Sequence, residues 1–296
     1  CPPPRNPRVP PRAPCTLLPA SPDAHAMAQW RSVPVLDLTY LPWESSFRPE
    51  APVEFAASNY AIPFALAGLY LVGVFGGRRV MESRAAFDLK LPLALWNMLL
   101  GTFSFIGMVR TVPHLLYNLG ELSFYDTVCT KPSESWGVGA PGLWVMLFIF
   151  SKIPELVDTA FIVLRKRPVI FLHWYHHLTV MLYCWNAYAV QAGSGLYFVA
   201  MNYAVHSVMY SYYACSAFGV VPKGFPAWII TVGQIAQMII GTFVCCATWY
   251  YRLKGTPCYQ DDTNMVCAAV MYASYLALFV KFFYDRFVAP KKSKKA

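Results

Sequence analysis

Seven stretches of this chain are long and apolar enough to cross a bilayer, and nothing else in it limits the possible folds so tightly. A spanning helix needs about 20 predominantly apolar residues, because backbone N–H and C=O groups in hydrocarbon must be bonded within the element. The stretches are Tyr60–Gly76, Leu91–Val109, Pro141–Leu164, Val169–Tyr188, Leu196–Phe218, Pro226–Tyr250 and Met265–Phe287. Of the 296 residues, 57% are hydrophobic and only 13% charged, about half the charged share of a soluble domain. Too little polar material remains to cover a water-facing surface. The expected fold is an all-α polytopic membrane protein with seven transmembrane helices over residues 60–287.

The flanks read differently. Residues 1–26 are rich in Pro and Arg and hold no apolar run, so they are not a signal peptide. They are expected to be upstream translated sequence or a disordered extension, with the protein proper beginning near Met27. Residues 27–59 form an N-terminal segment, and 288–296 a basic tail.

Positive charge assigns the two sides of the membrane. Arg78, Arg79, Arg84 and Lys90 lie in the first connection, Arg165-Lys166-Arg167 in the third, and four lysines in the tail. The alternate connections are poorer in Lys and Arg, so the C-terminus is expected in the cytosol and the N-terminus in the lumen. The net charge of +9 is therefore a topology signal; without a basic stripe interleaved with aromatics, nucleic acid is not an expected partner. The nine cysteines include no CxxC pair, which argues against a zinc or iron–sulfur site. Cys129 and Cys258 both fall on the oxidising side of this topology and are predicted to form a disulfide. Lys292 and Lys294 stand fifth and third from the end, the placement of a dilysine retrieval signal for the endoplasmic reticulum; a basic tail resting on anionic lipid is the compatible alternative.

Ionisable groups inside spanning helices are costly, and they usually mark a cavity or a reaction site. The third span carries Lys152, Glu155, Asp158 and Thr159 within about 120° of helical arc. His173, His176 and His177 share about 100° of the fourth span. Asn202, His206, Tyr210 and Tyr213 run down the fifth, and Gln234 and Gln237 occupy the sixth. Counted from the loops at 1.5 Å per residue, Asp158, His173, His176, His177, His206 and Gln234 lie roughly 6–18 Å below the cytosolic surface. Scattered structural polar residues would not share one layer.

A histidine cluster first suggests non-haem iron. Membrane desaturases and hydroxylases also contain HxxHH, but they gather more histidines in several boxes. This chain has six, of which His25 lies in the leader and His114 beside a non-cytosolic connection. A metal site is not expected. A seven-span receptor would need none of the three clustered histidines, and the chain lacks DRY and NPxxY motifs. A carrier that only moves a lipid is the remaining non-enzyme reading.

Four motifs in order, KIPELVDT at Lys152–Thr159, HWYHH at His173–His177, MNYAVHSVMYSYY at Met201–Tyr213 and TVGQIAQ at Thr231–Gln237, resemble those of the ELO-type very-long-chain fatty acid elongases. These are the membrane 3-ketoacyl-CoA synthases of the endoplasmic reticulum. The resemblance implies six helices ringing a narrow tunnel, open to the cytosol and closed at the lumenal end. It implies condensation of a fatty acyl-CoA with malonyl-CoA to 3-ketoacyl-CoA, carbon dioxide and CoA, with no cofactor. The Trp-Tyr inside HWYHH resembles the branch acting on saturated and monounsaturated chains. His176 is the implied nucleophile and His206 its partner, with His173, His177 and Asp158 beside them. Lys152, Glu155, Asn202, Tyr210, Tyr213, Gln234 and Gln237 are the implied substrate contacts. The expected partners are membrane lipid, the reductases and dehydratase of the elongation cycle, and a second copy of the chain.

Overall fold

The computed structural model describes residues 34–290, and every element in that range is helical. The leader, His25 and the dilysine tail lie outside the described residues. Three short helices come first: α1 (Pro34–Asp37), α2 (Pro42–Ser45) and α3 (Glu50–Ser58). They lead into α4 (Ala61–Glu82) and α5 (Lys90–Glu121), followed by the short α6 (Phe124–Cys129). Next come α7 (Gly139–Ser151), α8 (Val157–Leu164), α9 (Phe171–Ala189), α10 (Gly195–Phe218), α11 (Trp228–Leu253) and α12 (Asp262–Phe283).

Among the described residues four helices are long and apolar enough to cross a membrane: α4, α5, α11, and α12 with the π turn that extends it to Val288. Of the other segments expected to span, α7 and α8 are apolar but only 13 and 8 residues long. α9 and α10 are long enough, but the His, Asn and Tyr residues they carry lower their hydropathy.

The structure corrects the third span. Residues 141–164 are not one helix; a 3-10 turn at Pro154–Leu156 separates α7 from α8. Pro154 has no N–H to donate and its ring crowds the carbonyl four residues back, so the α ladder stops there. Lys152, Glu155, Asp158 and Thr159 therefore do not share a continuous α face. The second span is also longer than expected. The sequence pattern stops before Arg110, but α5 continues to Glu121 because the Arg110 guanidinium finds Glu44 at 3.0 Å. His114, expected near a connection, is inside α5 and 1% exposed.

The bundle's two ends are tied differently. At one end the connections before α5 and after α8 meet: the Phe87 N–H donates to the Leu164 carbonyl, and the Lys166 amine donates to the Glu82 and Arg84 carbonyls. At the other end Cys129 and Cys258 are bonded. There the Tyr259 N–H donates to Cys129 O, the Gly193 N–H to Tyr259 O, and the Trp136 indole to Gly193 O. Alternate connections thus gather at opposite ends, as an up-and-down bundle requires.

α5 and α10 make the most extensive helix pairing. They run antiparallel, with Gly101 against Ser211 and Gly107 against the Tyr203 ring. The main core lies beside them, where Trp144, Phe148, Val199 and Tyr203 pack between α7 and α10.

Candidate active site

Where the basic connections meet, a cavity of about 550 Å³ enters the bundle, within the usual size range of ligand sites. Its walls come from α5, α8, α9, α10, α11 and α12. α4 is the one long helix that contributes no wall residue.

α9 supplies the histidines because one helical face places residues 173, 176 and 177 together. The His173 and His177 ring centroids are 4.5 Å apart, and those of His176 and His177 5.4 Å. Each ring is held differently. His173 Nε2 lies 2.9 Å from Thr159 Oγ1, which also meets the Tyr70 hydroxyl at 2.8 Å. His177 Nε2 is 4.0 Å from an Asp158 oxygen. The His176 ring makes no hydrogen bond among the described residues; its neighbour is the Tyr275 ring at 5.0 Å, while the Tyr275 hydroxyl donates to the His176 carbonyl.

Asp158, the first-turn acid of α8, is oriented by two donors: the Trp96 indole at 2.6 Å and the Tyr210 hydroxyl at 2.7 Å. α10 brings His206 within one turn of both Asn202 and Tyr210, with the Asn202 amide at 3.2 Å and the Tyr210 ring centroid at 5.2 Å. Tyr213 sits one turn nearer the mouth and is 44% exposed. Gln234 donates to the Met209 sulfur at 3.4 Å, and Gln237 is buried in the wall.

Lys152 and Glu155 depart from expectation. Neither lines the cavity. They form a buried pair behind its wall, with the amine 2.7 and 3.0 Å from the two Glu155 oxygens and 3.9 Å from the Phe148 ring centroid. The turn at Pro154 moves them out of register with Asp158.

Three cations not on the candidate list line the cavity: Lys90, Arg165 and Arg167. The same residues served as topology signals, and a binding role was the missing second reading of them. Trp96 was also missed, because a lone tryptophan on an apolar helix gives no sign of a carboxylate 62 positions away. No three His, Cys, Asp or Glu side chains among the described residues are arranged to hold a metal ion.

Toward the disulfide end a second, smaller void of about 50 Å³ has apolar walls that include Tyr183, Cys184, Phe198, Val199 and Trp136. Between this void and the cavity Met238, Phe198 and Tyr272 pack together, with the Phe198 and Tyr272 rings 4.9 Å apart.

The chain matches the ELO (GNS1/SUR4) family over residues 55–295 and belongs to that family, the fatty acid elongases. It is 42% identical to very long chain fatty acid elongase 6 of Drosophila melanogaster, over 84% of this chain and 79% of the relative. It is 39% identical to the protein of that name from Gallus gallus, over 88% and 97% of the two chains. It is 37% identical to fatty acid elongase 3 of Trypanosoma brucei brucei, over 86% and 92%.

Proposed function

We propose that this elongase performs the condensing step, joining a long-chain fatty acyl-CoA to malonyl-CoA with His176 as the acyl-accepting nucleophile. The observation that carries this reading is the His176 ring, which lines the cavity while making no hydrogen bond among the described residues. A neutral imidazole with a free nitrogen attacks thioesters readily and splits one difficult step into two.

In the first half the imidazole nitrogen bonds to the thioester carbon and the C–S bond breaks. CoA leaves as the thiol, taking the proton that the acylated ring sheds. In the second half malonyl-CoA loses carbon dioxide, and the electrons of that C–C bond form a thioester enolate. The enolate carbon attacks the acyl-imidazole, the C–N bond breaks, and the released imidazolate takes a proton from solvent. The products are 3-ketoacyl-CoA, carbon dioxide and CoA, and no cofactor takes part.

His173, fixed by Thr159, and His177, beside Asp158, shape the pocket around the acylated ring. Gln234, Gln237 and Tyr213 face the reacting thioesters, where donors aimed at developing oxygen charge are most effective, while Tyr210 donates its hydroxyl to Asp158 and holds that carboxylate in place. Lys90, Arg165 and Arg167 attract the phosphates of CoA at the mouth. The acyl chain, saturated or monounsaturated, extends from His176 toward the apolar void.

The same reading makes the molecule a seven-span protein of the endoplasmic reticulum, with α7, the turn and α8 acting as one broken span. Its N-terminus is lumenal and its C-terminus cytosolic. The reductases and dehydratase of the cycle take up the product, and two copies associate in the membrane. Purified protein in nanodiscs, given labelled malonyl-CoA and palmitoyl-CoA, is expected to release carbon dioxide with ping-pong kinetics, and a His176 peptide is expected to carry the acyl mass. Acyl-CoA movement without malonyl-dependent product, or full activity in His176→Ala, would replace the enzyme reading with a carrier.

A further inference from the structure

We infer that the buried Lys152–Glu155 pair, acting through Asn202, locks His206 in one tautomer, so that it presents an N–H to the cavity instead of a lone pair. The polarity of the hydrogen bonds requires it. Both Glu155 oxygens lie within 3.0 Å of the Lys152 amine, which holds it as an ammonium, and an ammonium can only donate. Its remaining hydrogen-bond partner among the described residues is Asn202 Oδ1 at 3.4 Å, so the amide oxygen faces Lys152. The amide nitrogen must then face the other way. It meets His206 Nε2 at 3.2 Å.

An amide N–H can only donate, so Nε2 accepts and carries no proton. In a neutral imidazole the proton then resides on Nδ1. Nδ1 has no hydrogen-bond partner among the described residues, and it is not one of the enclosed, unpartnered atoms. His206 lines the cavity, and Nδ1 is the atom left to face it. Lys152 and Glu155, behind the wall, and Asn202, within it, are accordingly positioning residues.

On the condensation reading, which this step rests on, the Nδ1 proton is a hydrogen-bond donor to the thioester or enolate oxygen. It is not the base that activates His176. Asn202 commits one of its two amide N–H donors to His206.

The test is ring-nitrogen NMR of the full-length protein in nanodiscs with 15N-labelled histidine, using His206→Gln to assign the signal. The expected spectrum shows protonated Nδ1 and bare Nε2 at His206. Asn202→Asp is expected to invert it, because a carboxylate can only accept and so selects the Nε2–H form. The same variant should lose about 100- to 1,000-fold in kcat, the usual effect of removing one oxyanion donor, with KM for malonyl-CoA nearly unchanged. A wild-type spectrum with the proton on Nε2 overturns the relay, and does not depend on Asn202→Asp folding. So does wild-type kcat in Asn202→Asp. The spectrum also needs no turnover, so a failed condensation assay beside the expected tautomer removes the catalytic reading and leaves the relay standing.

Discussion

Glu44 is 1% exposed, and three donors converge on its two oxygens: the Arg110 guanidinium at 3.0 and 3.1 Å, the Trp144 indole at 2.7 Å and the Leu41 N–H at 2.9 Å. Burial by itself would raise this carboxyl's pKa, but the donors and the Arg110 charge outweigh it and hold it below the ordinary range. A carboxyl with a lowered folded pKa contributes stability that is fully present above its unfolded pKa, about 4.3. That stability disappears as the pH falls through the lowered value. Melting temperature followed from pH 7 down to pH 3 should therefore fall in the wild type and vary less in Glu44→Gln. At neutral pH the substitution should cost somewhat less than the roughly 3–5 kcal/mol of a fully buried broken pair, because Arg110 is 17% exposed. Nothing in the local sequence marks Glu44, since its partners lie 66 and 100 positions away. The histidines of α9 were legible for the opposite reason: three within five residues stand together through helical geometry alone.

Elements show how close approach was built. A Cβ added at Gly107 would enter the Tyr203 ring, which is held among Phe103, Trp144 and Phe148 and bonded through its hydroxyl to the Trp144 carbonyl. Gly73, on α4, has nothing within 4 Å of its added Cβ. Gly107→Ala should destabilise the α5–α10 pair by about 1–3 kcal/mol through overpacking. Gly73→Ala should be neutral or stabilise by up to about 1 kcal/mol through helix propensity. Thermal melts of the two variants in one detergent decide this, and equal losses would contradict it. Helix identity was readable from apolar run length, but the break at Pro154 was passed over because an apolar run masks it. α5 was cut short at Arg110 because a charge looks like an end until its partner is known.

For the whole molecule the disulfide is the long-range constraint. Cys129 and Cys258 are 129 positions apart, and in the chain-entropy account a loop of this order restricts the unfolded state by about 4–5 kcal/mol. Cys258→Ser should lower the melting temperature markedly. Reductant should shift the wild type toward the variant and leave the variant where it is. A melt unchanged by either treatment would show that the backbone bonds around Cys129, Gly193 and Tyr259 close that end unaided.

The sequence by itself determined that the chain is helical and membrane-embedded, where its basic loops gather, and which four motifs hold its polar clusters. Those properties follow from residue type and helical period, which are local. Only the tertiary structure decided what each polar group does with its hydrogen bonds. Lys152 and Glu155 face each other behind the wall, Asp158 is held by Trp96 and Tyr210, and Asn202 turns its amide toward His206. Inside an apolar bundle a donor or acceptor without a partner is costly, so these groups take whichever partners other helices bring. That choice depends on contacts as many as 62 positions apart, and no local pattern records them.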